Sequence, residues 1–141
     1  KHHLNRFVAQ KVLGWREFTC EKFACFCEIK LSFEKIVELV GVAFGGVKSI
    51  VEPERREIYR VAFCSGSGGG MIGEIACDIL ITGDLKYHDA IRAKSLGVGV
   101  IDAGHYETER FFGEAMRMAL QEKGLDAIIA PSQNPFSDGT R

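Results

Sequence analysis

The 141-residue sequence has no long hydrophobic run and no excess of charge of either sign. No segment approaches the roughly eighteen consecutive apolar residues of a membrane span, so we expect no membrane insertion. The first ten residues, KHHLNRFVAQ, lack the apolar core and the cleavage site of a signal peptide. Eighteen basic residues stand against nineteen acidic ones, for a formal net charge of −1. This balance argues against a dedicated nucleic-acid-binding protein.

The number of cysteines is odd: Cys20, Cys25, Cys27, Cys64 and Cys77. Such a set forms no dense disulfide framework, so it predicts free thiols and a cytoplasmic location. Cys25 and Cys27 are separated by one residue rather than by the two of a zinc knuckle. We therefore expect both as buried thiols on one face of a strand rather than as a metal clip.

Hydrophobic residues make up 46% of the chain, which is enough for one packed domain over residues 1–141. Their periodicity predicts helices over 4–13, 33–44 (capped by Ser32), 86–95 and 105–123. It predicts strands over 22–31, 47–51, 58–64, 79–82, 98–102 and 127–130, and an irregular tail over 134–141. Strands 47–51 and 58–64 are expected to form a hairpin around the charged turn EPERRE. The alternation of strands and helices after Cys64 predicts an α/β fold, a mixed sheet with helices on both faces.

The segment VIDAGHYETER, residues 100–110, passes from a predicted strand through a bend of small residues into a helix. In an open α/β sheet, ligands bind beyond the carboxyl ends of strands, where this segment lies. His105 and Glu109 are four residues apart, so their side chains share one helix face and can converge on one ion. An imidazole nitrogen and a carboxylate oxygen suit zinc, iron or manganese better than calcium. The alternative is an ordinary polar face at the start of a helix.

Polar side chains also follow the predicted strand 79–82, in the sequence GDLKYH. Asp84 is a candidate ligand or base, or simply the cap of the following helix. Lys86 is a candidate phosphate contact, although a lone surface lysine commonly has no specific role. His88 is a candidate acid–base group, since imidazole titrates near neutrality, or a structural residue of the helix. We expect this strand end to lie on the same sheet edge as His105.

A glycine-rich segment, CSGSGGGMIG, contains a literal GxGxxG at Gly68, Gly70 and Gly73. That pattern cradles phosphate in dinucleotide-binding folds, where a helix follows the strand directly. The interval between Gly70 and the next strand leaves little room for such a helix. The sequence therefore favours a loop, including Gly68, that lines the substrate pocket, with a dinucleotide site as the alternative.

Four segments in this order, CSGSGG, ITGDLKYHDA, VIDAGHYETERFF and NPF, resemble the GTP cyclohydrolase 1 type 2 homologue family, also named the NGG-one-interacting-factor-three-like family. The resemblance covers about residues 32–136, and GDLKYH with GHYETE is its most specific part. It implies two neighbouring divalent metal ions held by five side chains. Two of the five are the His and Glu of the GHxxxE segment, here His105 and Glu109.

The same resemblance implies that an adjacent His-His pair and an Asp, from the N-terminal part of a longer protein, complete the ligand set. His2 and His3 do not match that pair, because Leu4 rather than proline follows them, and we expect them to begin a helix. We therefore expect the chain to be the C-terminal portion of a longer, two-lobed family member. Its own metal site would then be incomplete.

The activity implied by the resemblance is hydrolysis of a GTP-like nucleotide, with opening of the imidazole ring and release of formate. The implied roles are His105 and Glu109 as metal ligands, His88 as a proton shuttle, Lys86 as a triphosphate contact, and Asp84 and Tyr87 as further lining of the site. Family members form ring-like hexamers, so we expect a homo-oligomer. The alternatives are a metal-stabilised scaffold without turnover and a dinucleotide-binding module.

Overall fold

Six strands form one mixed sheet in the computed structural model, which describes residues 2–136. The strands are β1 (Thr19–Glu21), β2 (Ala24–Ser32), β3 (Ser49–Val51), β4 (Glu57–Ser67), β5 (Ile79–Gly83) and β6 (Gly99–Asp102). The helices are α1 (His2–Phe7), α2 (Phe33–Phe44), α3 (Tyr87–Leu96), α4 (His105–Glu109) and α5 (Phe112–Gln121), with a π-helical turn at Val8–Val12 and a 3-10 turn at Gly69–Met71. None of the helices in this described part has the length and apolarity needed to traverse a lipid bilayer.

The three central strands run parallel, and the outer strands run antiparallel to their neighbours in the order β1-β2-β4-β5-β6-β3. Every residue of β5 and β6 is buried, as expected for parallel strands that are covered on both faces. Because parallel strands end at the same edge of a sheet, the segments that follow β5 and β6 emerge side by side. This edge positions the candidate site.

Helices cover both faces of the sheet, which confirms the predicted α/β architecture. On one face, Ile79 and Ile81 of β5 belong to a buried core with Phe44 of α2. On the other face, Leu80 of β5 belongs to a second core with Ala93 of α3. Successive side chains of a strand point to opposite faces, so β5 contributes to both cores.

Three predicted helix boundaries are confirmed, each with a local chemical cause. The Ser32 hydroxyl accepts a hydrogen bond from the Lys35 backbone N–H at 3.2 Å and caps α2. Gly45 and Gly97 end α2 and α3 with φ values of +84° and +69°. Glycine adopts this left-handed conformation without the steric cost of a Cβ.

The predicted hairpin between residues 47–51 and 58–64 is wrong. β3 pairs antiparallel with β6, where Ile50 lies opposite Ile101, and β5 and β6 separate β3 from β4. β4 carries a continuous buried run and lies centrally, between β2 and β5. A charged turn indicates where the chain changes direction, but it does not determine which strand becomes the neighbour.

The predicted helix over 105–123 is divided into α4 and α5, with the break at Arg110 and Phe111. The Phe111 ring packs on the core beneath α2, its centroid 6.3 Å from that of Phe44, so tertiary packing overrides the local helical pattern. The predicted strand 127–130 is also wrong, because this segment is irregular and pairs with no strand of the described residues. The predicted tail is irregular over 134–136, and 137–141 lie outside the described residues.

The prediction of free thiols is wrong for Cys20 and Cys25, which form a disulfide. The two residues lie directly opposite each other in the β1–β2 pairing, with their Cα atoms 4.0 Å apart. Three residues of β1 are too few for an alternating pattern to show, so the sequence does not indicate this hairpin. Cys27 is a buried thiol, as predicted.

Burial and the neighbouring Asp78 carboxylate raise the pKa of the Cys77 thiol to about 12.

Candidate metal centre

The candidate site lies where β5 and β6 end. Asp84 directly follows β5, and His105 begins α4 after a two-residue bend that follows β6. The expected convergence of these two strand ends is confirmed, since Asp84 Oδ2 lies 3.7 Å from His105 Nδ1. This separation is longer than a hydrogen bond, so the carboxylate faces the ring nitrogen without bonding to it.

His105 and Glu109 point to a common position, as their four-residue spacing predicts. His105 Nε2 lies 3.3 Å from Glu109 Oε2. Two ligand atoms of a tetrahedral zinc, each about 2.0–2.1 Å from the metal, are themselves about 3.3 Å apart. The pair therefore fits two adjacent positions of a coordination shell. Residues 2–136 contain no group of three or more His, Cys, Asp or Glu side chains arranged to hold a metal ion.

Asp84 faces the ring nitrogen of His105 that does not face Glu109. α3 begins at Tyr87 with Lys86 in the capping position, so Asp84 is not the helix cap. Asp84 has a φ of +56°, which is uncommon for a residue other than glycine. The carboxylate lies on the Nδ1 side of the ring, so Nε2 is the nitrogen that faces Glu109.

Gly66 lies beside the point where His105 and Glu109 converge, and its lack of a side chain leaves room for both of them. It has a φ of +65° and lies where the pairing of β4 with β5 shifts its register. A Cβ at this position would overlap the Glu109 carboxylate and lie 3.1 Å from His105 Nε2. The Thr108 hydroxyl accepts a hydrogen bond from the Gly66 N–H at 2.9 Å and donates to the Gly104 carbonyl at 2.9 Å. Sequence reasoning missed both Gly66 and Thr108, although Thr108 lies within the GHYETE motif.

Asp102 connects the two strand ends through its side chain. Its Oδ2 accepts a hydrogen bond from the Leu85 N–H, and its Oδ1 accepts one from the Gly104 N–H, both at 2.9 Å. The residue is 6% exposed, and a buried carboxylate requires such donors. Leu85 and Gly104 are the immediate chain neighbours of Asp84 and His105. Sequence reasoning missed this role, because it identified Asp102 only as the last residue of a strand.

A cavity of about 850 Å³ opens beside the His105–Glu109 pair. Asp84, His105 and Glu109 lie on its polar side, and Arg110 and Arg117 also line it. Its apolar walls include Phe112, Met116, Leu120, Ile128, Ile129 and Phe136. A concave, mostly apolar site with a few convergent polar groups is typical of small-molecule binding.

The irregular segment 127–136 forms one wall of the cavity and is held by polar contacts to α4. The Tyr106 hydroxyl donates to the Ser132 carbonyl at 3.0 Å, and Asn134 Nδ2 donates to Glu107 Oε1 at 3.1 Å. Lys48 Nζ lies 3.1 Å from Glu107 Oε2. Burial acts to raise the pKa of the Glu107 carboxyl, but its own backbone N–H, Lys48 and Asn134 outweigh burial and lower that pKa. Glu107 therefore remains an anion that both partners can bind.

Four predicted site residues lie away from the cavity. Lys86, Tyr87 and His88 are exposed around the start of α3, and none of them lines the cavity. Gly68 is buried, and its N–H donates to the Thr82 hydroxyl at 2.9 Å. The structure thus brings together Asp84, His105 and Glu109. The functional roles of all seven residues stay predictions.

Comparison with known proteins relates this chain to one family along almost its whole length. The model of the Duf34/NIF3 (NGG1p interacting factor 3) family matches residues 3–135. A Campylobacter jejuni protein named GTP cyclohydrolase 1 type 2 homolog is 34% identical over 135 residues, which are 95% of this chain and 56% of that protein. A Helicobacter pylori (strain J99) protein named GTP cyclohydrolase 1 type 2 is 32% identical over 138 residues, 96% of this chain and 57% of that protein. The chain thus spans just over half the length of these curated relatives.

Solved structures show the same fold. Protein ybgI, described as being of unknown function, matches with a TM-score of 0.77 at 23% identity, over 94% of this chain and 57% of that one. Reduced HcgD from Methanocaldococcus jannaschii matches with a TM-score of 0.67 at 25% identity, over 84% of this chain and 51% of that one. Because the family match covers nearly every residue and agrees with the motifs in order, this chain belongs to the Duf34/NIF3 family.

Proposed function

We propose that this chain forms part of the active centre of a metal-dependent hydrolase that acts on a nucleotide. The observation that carries the proposal is the 3.3 Å convergence of His105 Nε2 and Glu109 Oε2 at the side of an 850 Å³ cavity. The names of the C. jejuni and H. pylori relatives refer to GTP cyclohydrolase and support a GTP-like substrate.

The proposed cofactor is a pair of divalent metal ions, which would supply a water molecule of lowered pKa for attack on the substrate. His105 and Glu109 offer one nitrogen and one oxygen donor, a combination that suits zinc, iron or manganese. Asp84 lies on the Nδ1 side of His105, so it leaves Nε2 to face the proposed metal position. A two-metal site needs more ligands than this pair, and we propose that they come from the N-terminal lobe of a longer protein of which this chain is the C-terminal portion.

The residues that line the cavity support the binding of a nucleotide. Its apolar walls, which include Phe112 and Phe136, suit the flat face of a purine ring. Arg110 and Arg117 line the same cavity and offer positive charge to phosphate groups. They are better placed for this role than Lys86, which lies outside the cavity. By the same argument, Asp84 is better placed than His88 to accept a proton from a bound substrate.

Formate release from GTP tests the proposed reaction. The full-length gene product, loaded with zinc, manganese or iron, is expected to release formate, and the His105→Ala and Glu109→Gln variants to release none. His3→Ala is the matched histidine control, since His3 does not line the cavity, and it should keep the wild-type rate. Formate release by His105→Ala at the wild-type rate, or no release with any of the metals, would overturn the proposal.

A second candidate is a metal-stabilised homo-oligomer, such as a hexamer, that acts as a scaffold without turnover. The family description as an interacting factor favours it, and so does the exposed apolar surface of α5, where Phe112 and Met116 are 55% and 43% exposed. Full metal occupancy in a stable oligomer that releases no formate would support this candidate over the hydrolase.

The dinucleotide-binding alternative lacks support in the fold. The phosphate-binding fingerprint requires an α-helix directly after the strand. After β4, the chain instead forms the three-residue 3-10 turn Gly69–Met71 and reaches β5 without an α-helix. We therefore expect no saturable binding of NADH in a fluorescence titration.

A further inference from the structure

We propose that Asp102 is a positioning residue for the metal-binding pair. Its carboxylate holds the segment after β5 and the start of α4 in the arrangement that lets His105 face Asp84 through Nδ1 and Glu109 through Nε2. This inference rests on the proposed metal site, which it deepens by naming the group that sets the ligand geometry.

The hydrogen bonds at the end of the sheet show why a side chain is needed there. The last backbone bond between β5 and the end of β6 runs from the Ala103 N–H to the Thr82 carbonyl at 2.8 Å. Beyond this bond, the segment after β5 continues as the turn at Asp84, and the segment after β6 continues as the bend at Gly104. The Asp102 carboxylate links these two segments, with one oxygen on each of them.

Each of the two bonded N–H groups lies at, or directly after, a residue with a positive φ value. Asp84 has a φ of +56° and precedes Leu85, and Gly104 has a φ of +95° and precedes His105. The bonds to the Leu85 and Gly104 N–H groups hold the backbone in these conformations. A shift of the segment after β5 would move Asp84 relative to His105. A shift of the Gly104 bend would move the start of α4 relative to Gly66, on which the Glu109 side chain packs.

Asp102 acts by holding backbone N–H groups and does not itself bind the metal. Both of its oxygens accept hydrogen bonds from N–H groups at 2.9 Å, and the residue is 6% exposed. Asparagine has the same shape, but its NH₂ group would oppose one of the two N–H donors, so Asp102→Asn breaks one link with little change in volume. Ile101→Val is the control, because Ile101 is a fully buried neighbour on the same strand that bonds neither segment through its side chain.

Cobalt titration of the 141-residue chain, followed by visible absorption, measures the ligand geometry. Asp102→Asn is expected to weaken Co²⁺ binding about tenfold, the typical effect of removing a group that orients a metal ligand. The Co²⁺ affinity of Ile101→Val is expected to stay within about twofold of that of the wild type, even if its melting temperature falls as much as that of Asp102→Asn. Affinities that simply follow the melting temperatures of the two variants would contradict a positioning role. Complete loss of binding in Asp102→Asn would make Asp102 a ligand and overturn the proposal.

NMR of the metal-free chain tests the same inference without any metal. The contact between the Gly66 α-protons and the His105 ring should give a nuclear Overhauser effect in the wild type and in Ile101→Val, and lose most of its intensity in Asp102→Asn. The Leu85 and Gly104 amides should exchange with solvent faster in Asp102→Asn, while the Ala103 amide, bonded to Thr82, stays protected. Failure of the wild type to bind Co²⁺ would count against the proposed function, whereas an unchanged Overhauser effect in Asp102→Asn would overturn the role of Asp102.

Discussion

The carboxylate of Glu109 occupies the space in which a Cβ on residue 66 would lie, so this side chain packs directly on the Cα of Gly66. In Gly66→Ala the added methyl group displaces Glu109 from His105, and we expect metal affinity to fall about tenfold or more. Because residue 66 has a φ of +65°, the alanine also lowers the free energy of unfolding by about 1–2 kcal/mol through backbone strain. Cobalt titration and urea unfolding measure the two effects separately.

Gly45→Ala is the matched control for that substitution. Gly45 has a φ of +84°, but a Cβ there would meet nothing within 4 Å. It should therefore have a similar backbone cost and leave metal affinity unchanged. Equal affinities in the two alanine variants would show that the contact with Glu109 has no part in metal binding.

The Cys20–Cys25 disulfide should stabilise the fold measurably, although it closes a short loop. The two residues are five positions apart, and the entropy of closing such a loop corresponds to about 2 kcal/mol. Reduction, or the Cys20→Ser variant, is expected to lower the free energy of unfolding by this amount in a urea titration. Cys77→Ser serves as the control and should keep its sensitivity to reductant. A wild-type unfolding curve that is identical with and without reductant would count against the disulfide.

The Cys77 thiol should be unreactive at mildly alkaline pH. Burial raises its pKa to about 12, so the folded protein keeps it protonated at pH 9, where an ordinary thiol with a pKa of about 9 is half ionised. The stability linked to this shift is complete below the ordinary pKa of about 9 and is lost as the pH rises towards 12. Alkylation of Cys77 by iodoacetamide at pH 9, followed by peptide mass spectrometry, should be slow in the native chain and fast in urea. Equal rates in the two states would contradict the burial of this group.

The contacts between α4 and residues 127–136 should protect that segment from proteolysis. Tyr106→Phe removes the hydrogen bond to the Ser132 carbonyl, worth about 1 kcal/mol, so we expect thermolysin, which cleaves before apolar residues such as Ile128 and Ile129, to cut the segment roughly fivefold faster. Tyr87→Phe is the matched control, since Tyr87 is 76% exposed on α3 and lies outside the cavity. Identical cleavage rates in the two variants would show that the Tyr106 bond does not hold this wall of the cavity.

Local patterns in the sequence predict those parts of the molecule that depend on neighbours along the chain. The four-residue spacing of His105 and Glu109 places both side chains on one helix face, and the Ser32 cap and the glycine ends of α2 and α3 follow from the same kind of local rule. The strand ends that carry Asp84 and His105 converge because strands that alternate with helices run parallel.

The remaining features depend on contacts between distant parts of the chain. Thr108 is 42 residues from Gly66, and no periodicity relates them. Cys20 meets Cys25 only through a strand too short to show a pattern, and β3 joins β6 because β4 takes a central place in the sheet. Asp102 is a strand residue by its pattern, yet its side chain bonds a turn 17 residues away. Pairing and side-chain hydrogen bonds of this kind are properties of the assembled fold.

Elemental analysis after dialysis, combined with zinc titration, tests most directly whether His105 and Glu109 form a two-ligand metal site. With water completing most of the coordination shell, the 141-residue chain should retain well under one equivalent of metal after dialysis without chelator. It should nevertheless bind Zn²⁺ weakly and saturably in a calorimetric titration. His105→Ala and Glu109→Gln should abolish this binding, and the control His3→Ala should preserve it. Near-stoichiometric metal that survives dialysis and is lost in His105→Ala would mean that this chain completes the site by itself. Zinc binding that is unchanged in His105→Ala would contradict the site altogether.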